Sequence, residues 1–380
     1  MRSLIVGTAL IAGIVVPAAL GAQESGAFVV RLGTDTVSVE QFTRTATEIR
    51  GEQVLRSPRS VHRIYRAELA PDGSVRRFEL ITHNISGAPG PAETRLTVDY
   101  AGDTAAVRVP RGDTSVTQRV IGAGGSVPFV LYAYGLMEHL VRQGRRLAGD
   151  SVGFKVVTPG QAQPWAVTMK RTAPDRYDLT FNQLGPWHVR LDGDGRLMEM
   201  SGRGSTLQVE VARVPSIAMA AMGPAFAARS LGPLSVRDTA RATLAGGEIW
   251  VDYGRPQKRG RVIFGNVVPW HQVWRTGANA ATQFYTPVDL VIGGTAVPAG
   301  TYTLWTLPTP AGWKLIVNKQ HGQWGTEYHV EQDLARVDMR VEALAAPVEI
   351  CVITIEPRGP GAVLQVVWDQ TRASVEIAKK

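Results

Sequence analysis

Along most of the chain after Phe28 the apolar positions alternate with polar ones at a period of two, which sends successive side chains to opposite faces of a strand. Segments 56–69, 75–82, 94–100 and 105–110 carry this alternation, and Pro71-Asp72-Gly73 and Gly102-Asp103 supply the turn chemistry between them. A second series reads the same way at 153–157, 165–170, 177–181, 187–191, 197–200 and 207–214. Between the two series the period changes to that of a helix. Phe129, Tyr132, Ala133, Leu136, Met137 and Leu140 fall on one apolar face, with Ser126 as a possible cap, Pro128 in the first turn and Gly144 as a stop. These signals predict a first domain over 25–213: an antiparallel β-meander or half-barrel around one central helix, 127–144. Such a helix either fills the core or leaves room beside Leu136 and Leu140 for a lipid or lipoprotein tail.

Residues 214–232 turn abruptly to Ala, Met, Pro and Gly and read as a connector, too apolar to be freely solvated and able to press a short helix on either domain. From 233 to 380 short strands return, at 248–253, 281–292, 301–307, 313–318, 336–341, 348–355, 363–368 and 374–378. About eight antiparallel strands in this span predict a β-sandwich. The fold class is therefore mainly β, in two domains, as a length of 380 residues suggests.

Residues 1–22 stand apart. Arg2 opens them, positions 4–20 are almost wholly apolar, and Leu20-Gly21-Ala22 ends in small residues, the layout of a secretory signal peptide. The expected location is exported, periplasmic or extracellular, with no transmembrane segment after cleavage. Cys351 is the sole cysteine, so no intramolecular disulfide forms, and its place in an alternating strand marks it as buried rather than nucleophilic. A net charge of +8 favours anionic partners.

Chemistry concentrates between Trp250 and Thr282, where Tyr253, Phe264, Trp270 and Trp274 are interleaved with five cations. Arginine offers a planar fork of donors matched to carboxylate or phosphate, and it stacks on aromatic rings. Arg255, Lys258, Arg261, Trp270, His271, Trp274, Arg275 and Asn279 are thus candidate binding residues for an anionic or carbohydrate ligand or an envelope component. The same residues also read as a brace, with arginines bonded to loop carbonyls and Asn279 supporting a turn. His271 beside Arg275, or His329 with Glu331, would be the acid–base group of a small-molecule hydrolase. Yet the nucleophile elbow, the His-Glu-x-x-His pair and the phosphate loop are all missing from the sequence. The histidines lack ligand spacing, so no metal and no cofactor is assigned. Nucleic acid is not an expected partner, because no recognition motif accompanies the basic residues.

The run Tyr253-x-Arg255-Pro256-x-Lys258-x-Gly260-Arg261-x-Ile263-Phe264-Gly265, followed by Val268-Pro269-Trp270 and Val273-Trp274-Arg275-Thr276-Gly277-Ala278-Asn279, resembles the bacterial family called domain of unknown function 2911. Ile292-Gly293-Gly294, Val297-Pro298-Ala299-Gly300-Thr301-Tyr302, Asn318-Lys319 and Gln323-Trp324-Gly325 match it in the same order. The similarity covers roughly 233–378 and leaves the first domain outside it. It implies an exported bacterial protein and no established reaction. A non-catalytic binding or interaction protein of the cell envelope is the expected function.

Overall fold

Alternation along the first strand, Glu24–Leu32, turns Phe28, Val30 and Leu32 inward, and the same rule repeats across the sheet that contains it. The computed structural model describes residues 23–87, 89–112, 114–181, 185–203, 205, 207–244 and 246–380, so the expected signal peptide at 1–22 lies outside the described residues. Fifteen strands between Glu24 and Val214 form one sheet. Its centre is Glu24–Leu32, paired with Asp35–Arg44 on one side (Val29 opposite Val39) and with the domain's last strand, Glu210–Val214, on the other (Val29 opposite Ala212). From there two antiparallel meanders run outward to the edges at Thr114–Ile121 and Val127–Pro128. Only the last short strand pairs in parallel, with Ser151–Val157. Inward residues of both meanders join one apolar core, into which the helix α1 (Tyr134–Arg145) is set.

Helix α1 starts at Tyr134, not at Val127, and Ser126 does not cap it. Residues 127 and 128 are instead claimed by the sheet. A tertiary partner supplies the cap: Tyr134 N–H donates to Glu40 Oε2 at 2.5 Å and Gly135 N–H to Glu40 Oε1 at 3.2 Å, placing a buried carboxyl group on the free N–H groups at the start of the helix. The helix is buried nearly all round, and Leu136 and Leu140 are each 2% exposed within the core. That position matches a helix that fills the core. None of the principal clefts among the described residues is lined by either side chain.

The connector contains a second helix, α2 (Met219–Ala227). Met219 and Phe226 pack on Val39 and Val54 of the sheet's outer face. Backbone carbonyls along this segment are held by the loop Arg56–Ser60: Ser60 Oγ donates to Phe226 O at 2.7 Å, Arg56 Nε to Arg229 O at 2.8 Å and Ser57 Oγ to Gly232 O at 2.8 Å. The apolar connector is thereby fixed to the first domain.

The second domain is a nine-stranded antiparallel sheet folded on itself as a β-sandwich around its own core. The segments read as 336–341 and 348–355 are one strand, Asp333–Arg358, and 363–368 with 374–378 are another, Gly361–Lys379; their pairing is interrupted between Ala343 and Val352. An antiparallel bridge from Gln257 to Ile350 ties the layers together. Strand Ser235–Leu244, whose outer face is too polar to show clean alternation, forms the edge beside Gly247–Pro256. Cys351 is fully buried and burial pushes its thiol up to about 12, so it is inert at neutral pH.

Candidate functional site

The hairpin turn after the first strand meets the loop that follows Gly247–Pro256. Thr34 N–H donates to Arg259 O at 3.0 Å, and the Arg259 guanidinium pairs with Asp35. Gly33 has φ +60°, and a side chain there would put its Cβ 2.0 Å from Arg259 O, so only glycine lets the two domains approach this closely. A second tie runs through Gln208, which accepts from Arg261 Nη1 at 3.0 Å and donates to Val267 O at 3.3 Å. Between these ties opens a cleft of about 550 Å³, within the usual size of a small-molecule site.

Of the eight candidate residues, the fold brings Arg261, Trp274, Arg275 and Asn279 to this cleft and leaves the other four elsewhere. Arg255 lies on strand Gly247–Pro256 and pairs with Asp238 at 3.0 Å. Lys258 Nζ pairs with Asp369 Oδ2 at 2.6 Å. Trp270 stacks on Phe264 with centroids 6.1 Å apart. His271 is exposed, its backbone N–H donating to Pro308 O at 2.9 Å, and among the described residues its ring has no bonded partner. Three of these four therefore pair or stack within the second domain.

The four residues in the cleft divide again. Arg261 is a brace: Nε donates to Lys258 O at 3.0 Å, and Nη2 to Gln257 O, besides the bond to Gln208. Trp274 is 9% exposed, stacks on Trp368 at 5.8 Å and donates Nε1–H to Gly277 O at 3.2 Å. Arg275 differs. Its guanidinium makes no hydrogen bond and no ion pair among the described residues, and its Nε is sealed from water without a partner. Burial pulls its pKa down to about 10. Gly325 makes room for it, since a Cβ at that position would fall 2.1 Å from Arg275 Cδ. Beside it Asn279, at φ +63°, holds Gly325 N–H through its backbone carbonyl at 3.0 Å. The Asn279 amide has no bonded partner among the described residues.

The lining includes three arginines, at 203, 261 and 275, and no acid and no histidine. Arg203 is neutralised by Glu210 at 2.6 Å and Arg261 is bonded as above, so Arg275 is the cation left open to a ligand among the described lining residues. A guanidinium with a sealed, unbonded nitrogen is unfavourable, which makes it a candidate for a ligand contact. Backbone strain gathers in the same place: Tyr132 (φ 66°), Gln208 (φ 51°) and Asn279 all stand in the left-handed region on the cleft wall.

The first domain supplies residues of the wall that sequence reasoning did not reach, among them Leu32, Leu131, Tyr132 and Gln208. Their spacing along the chain carries no hint of convergence; only the domain contact gathers them. His329 and Glu331 lie 3.1 Å apart on an exposed turn, away from the cleft. Asp333 is already held by Tyr328 Oη at 2.7 Å, Asn318 Nδ2 at 2.9 Å and Arg336 Nε at 2.7 Å. Among the described residues no group of three or more His, Cys, Asp or Glu is placed to hold a metal. No helix there is long and apolar enough to cross a membrane.

Residues 235–377, the second domain, match the family described as Protein of unknown function (DUF2911), in agreement with the resemblance of its motifs. No curated protein matches the chain. Among solved structures, the chain is similar to a DUF1089 family protein from Pseudomonas aeruginosa at 10% identity and a TM-score of 0.33, covering 44% of this chain and 90% of that one. It is also similar to a beta-barrel-like protein of domain of unknown function DUF1849 from Brucella abortus, at 10% identity and a TM-score of 0.34, covering 50% of this chain and 93% of that one.

Proposed function

We propose that this is a non-catalytic binding protein of the bacterial cell envelope that holds a small anionic ligand in the cleft between its domains, with Arg275 as the anchor. The observation that carries the reading is the Arg275 guanidinium, which has no bonded partner and a sealed Nε, in a cleft with no acid among its described lining residues. A carboxylate or phosphate oxygen there would compensate the charge through two charge-assisted hydrogen bonds. The Asn279 amide adds a neutral donor beside it. Export is supported by the apolar segment and small-residue ending of residues 1–22. Catalysis has less support, since neither His271 nor the His329–Glu331 pair is among the described residues lining the cleft, and no acid or histidine is. Neutral sugar is disfavoured too, because Trp270, the exposed stacking platform that reading needs, packs on Phe264 instead.

The test is a thermal-shift panel on the chain from Gln23, with acetate, phosphate, sulfate, glucuronate and neutral glucose at constant ionic strength. A ligand at a hundred times its dissociation constant stabilises by about 2.7 kcal/mol. The expected result is stabilisation by anions and not by glucose, lost in Arg275→Gln. Equal shifts in the variant, or stabilisation by glucose alone, would sink the reading.

A further inference from the structure

The two walls of the cleft differ in a way that narrows the ligand. On the first-domain wall the polar side chains are already engaged. Ser57 Oγ donates to Gly232 O at 2.8 Å, Ser205 Oγ to Gly202 O at 2.8 Å, Arg203 pairs with Glu210, and Gln208 is held by Arg261 and Val267. What that wall leaves to a ligand is aliphatic surface from Leu32, Leu131 and Leu207 and the phenol of Tyr132. Leu234, at the junction of the domains, extends it. The opposite wall bears Arg275 and Asn279. Arg203 pairs with Glu210 and Arg261 donates to Gln208 and two backbone carbonyls, so Arg275 is the arginine of the described lining that keeps its donors for a single anionic group. Arg275 Nε is sealed behind Gly325, so a ligand meets the guanidinium end-on through its two Nη groups, the bidentate geometry that suits a carboxylate.

Resting on the anion-binding reading above, we infer that the ligand is an amphipathic monocarboxylate whose head lies on Arg275 and whose aliphatic tail crosses to the first-domain wall at Leu131. A cleft of about 550 Å³ has room for a tail of several carbons. Such a ligand touches both domains at once, so binding holds the domain contact closed as well as filling the cleft.

Isothermal titration of the full chain from Gln23 tests this with octanoate, acetate, octanol and octylamine, all below their aggregation concentrations. Burial of each tail methylene strengthens binding by about fourfold. Octanoate is expected to bind on the order of 100-fold tighter than acetate, even with only part of the tail buried. Octylamine is expected not to bind, and Arg275→Gln to reduce octanoate to the level of octanol. Leu131→Gln, with Leu234→Gln as an independent change on the same wall, is expected to weaken octanoate and leave acetate unchanged, which also reports that the variants are folded. If acetate and octanoate bind alike and both are lost in Arg275→Gln, the anion site stands and the amphiphile inference is overturned. If octanol binds as well as octanoate and Arg275→Gln changes neither, the cleft is only an apolar trap and both readings fail.

Discussion

Glu138 in the first domain and Arg275 in the second each keep a polar atom sealed from water, and their surroundings are opposite. Glu138, 1% exposed on α1, accepts from Leu197 N–H at 2.9 Å and from Arg213 Nη1 at 2.7 Å, and Arg142 approaches its other oxygen at 3.1 Å. Arg142 in turn reaches Glu24 at 2.8 Å, so the network ties the helix to the first, fourteenth and fifteenth strands of the sheet. Arg275 has no such partner. Burying a charge costs several kcal/mol unless its partners restore what water supplied, so the first arrangement is a structural tie, and on the reading proposed above the second waits for a partner from outside the chain. The contrast also explains why arginine count was a poor guide. Arg255, Arg259, Arg261 and Arg275 follow closely in the sequence, yet three are bonded by Asp238, Asp35 and backbone carbonyls.

The largest effect expected from breaking this comparison is Glu138→Ala. Arg213 and Arg142 would be left buried without their carboxylate, and the first domain should lose about 3–5 kcal/mol in urea unfolding. A loss under about 1 kcal/mol would mean that the network is not a tie.

The next effect is a pH dependence confined to the first domain. Burial pushes the Glu40 carboxyl up to about 8, with the Tyr65 hydroxyl and the helix N–H groups only partly opposing it. The folded state then keeps a proton that the unfolded chain releases near 4.5, so stability falls as pH rises from 4.5 to about 8. Burial pulls His139 down to about 3, so the folded state refuses a proton that the unfolded chain takes near 6.5, and stability falls as pH drops below that value. A maximum between these two flanks, on the order of a few kcal/mol above them, is expected in urea melts. Glu40→Gln should flatten the alkaline flank. Survival of that slope in the variant would assign it to another group.

Arg275→Met, which keeps length and removes charge, should stabilise the ligand-free protein by about 1–3 kcal/mol while abolishing anion binding. Removing a charge that lacks a partner relieves the desolvation that pulls its pKa down. A lower urea midpoint in this variant would make Arg275 a brace and erase its difference from Arg261. The smallest changes belong to the candidates outside the cleft. Arg255→Ala removes a half-exposed pair with Asp238 and should change stability by about 1 kcal/mol or less. His271→Ala should leave both stability and ligand titrations unchanged; a loss of binding would bring the exposed histidine back into the site.

What the sequence determined by itself is what short-range physics encodes. Period-two alternation with Gly, Asp and Pro turns marked most strands, because a strand beside water on one face must alternate and a hairpin must have residues that tolerate its backbone. The ordered motifs between Tyr253 and Gly325 marked the second domain's family, and the run Trp274-Arg275-Thr276-Gly277-Ala278-Asn279 held two of the residues that line the cleft with an unbonded polar group. Tertiary structure decided the rest. The start of α1 was set by Glu40, 94 residues away from the N–H it accepts, and by the sheet's claim on Val127 and Pro128. Which arginine is bonded depended on what the fold delivered to it: Gln208 and the carbonyls of Gln257 and Lys258 reached Arg261, and no described residue bonds the Arg275 guanidinium. Local sequence cannot state that difference, because two of Arg261's acceptors lie along the loop while the third, Gln208, arrives only when the first domain docks against it.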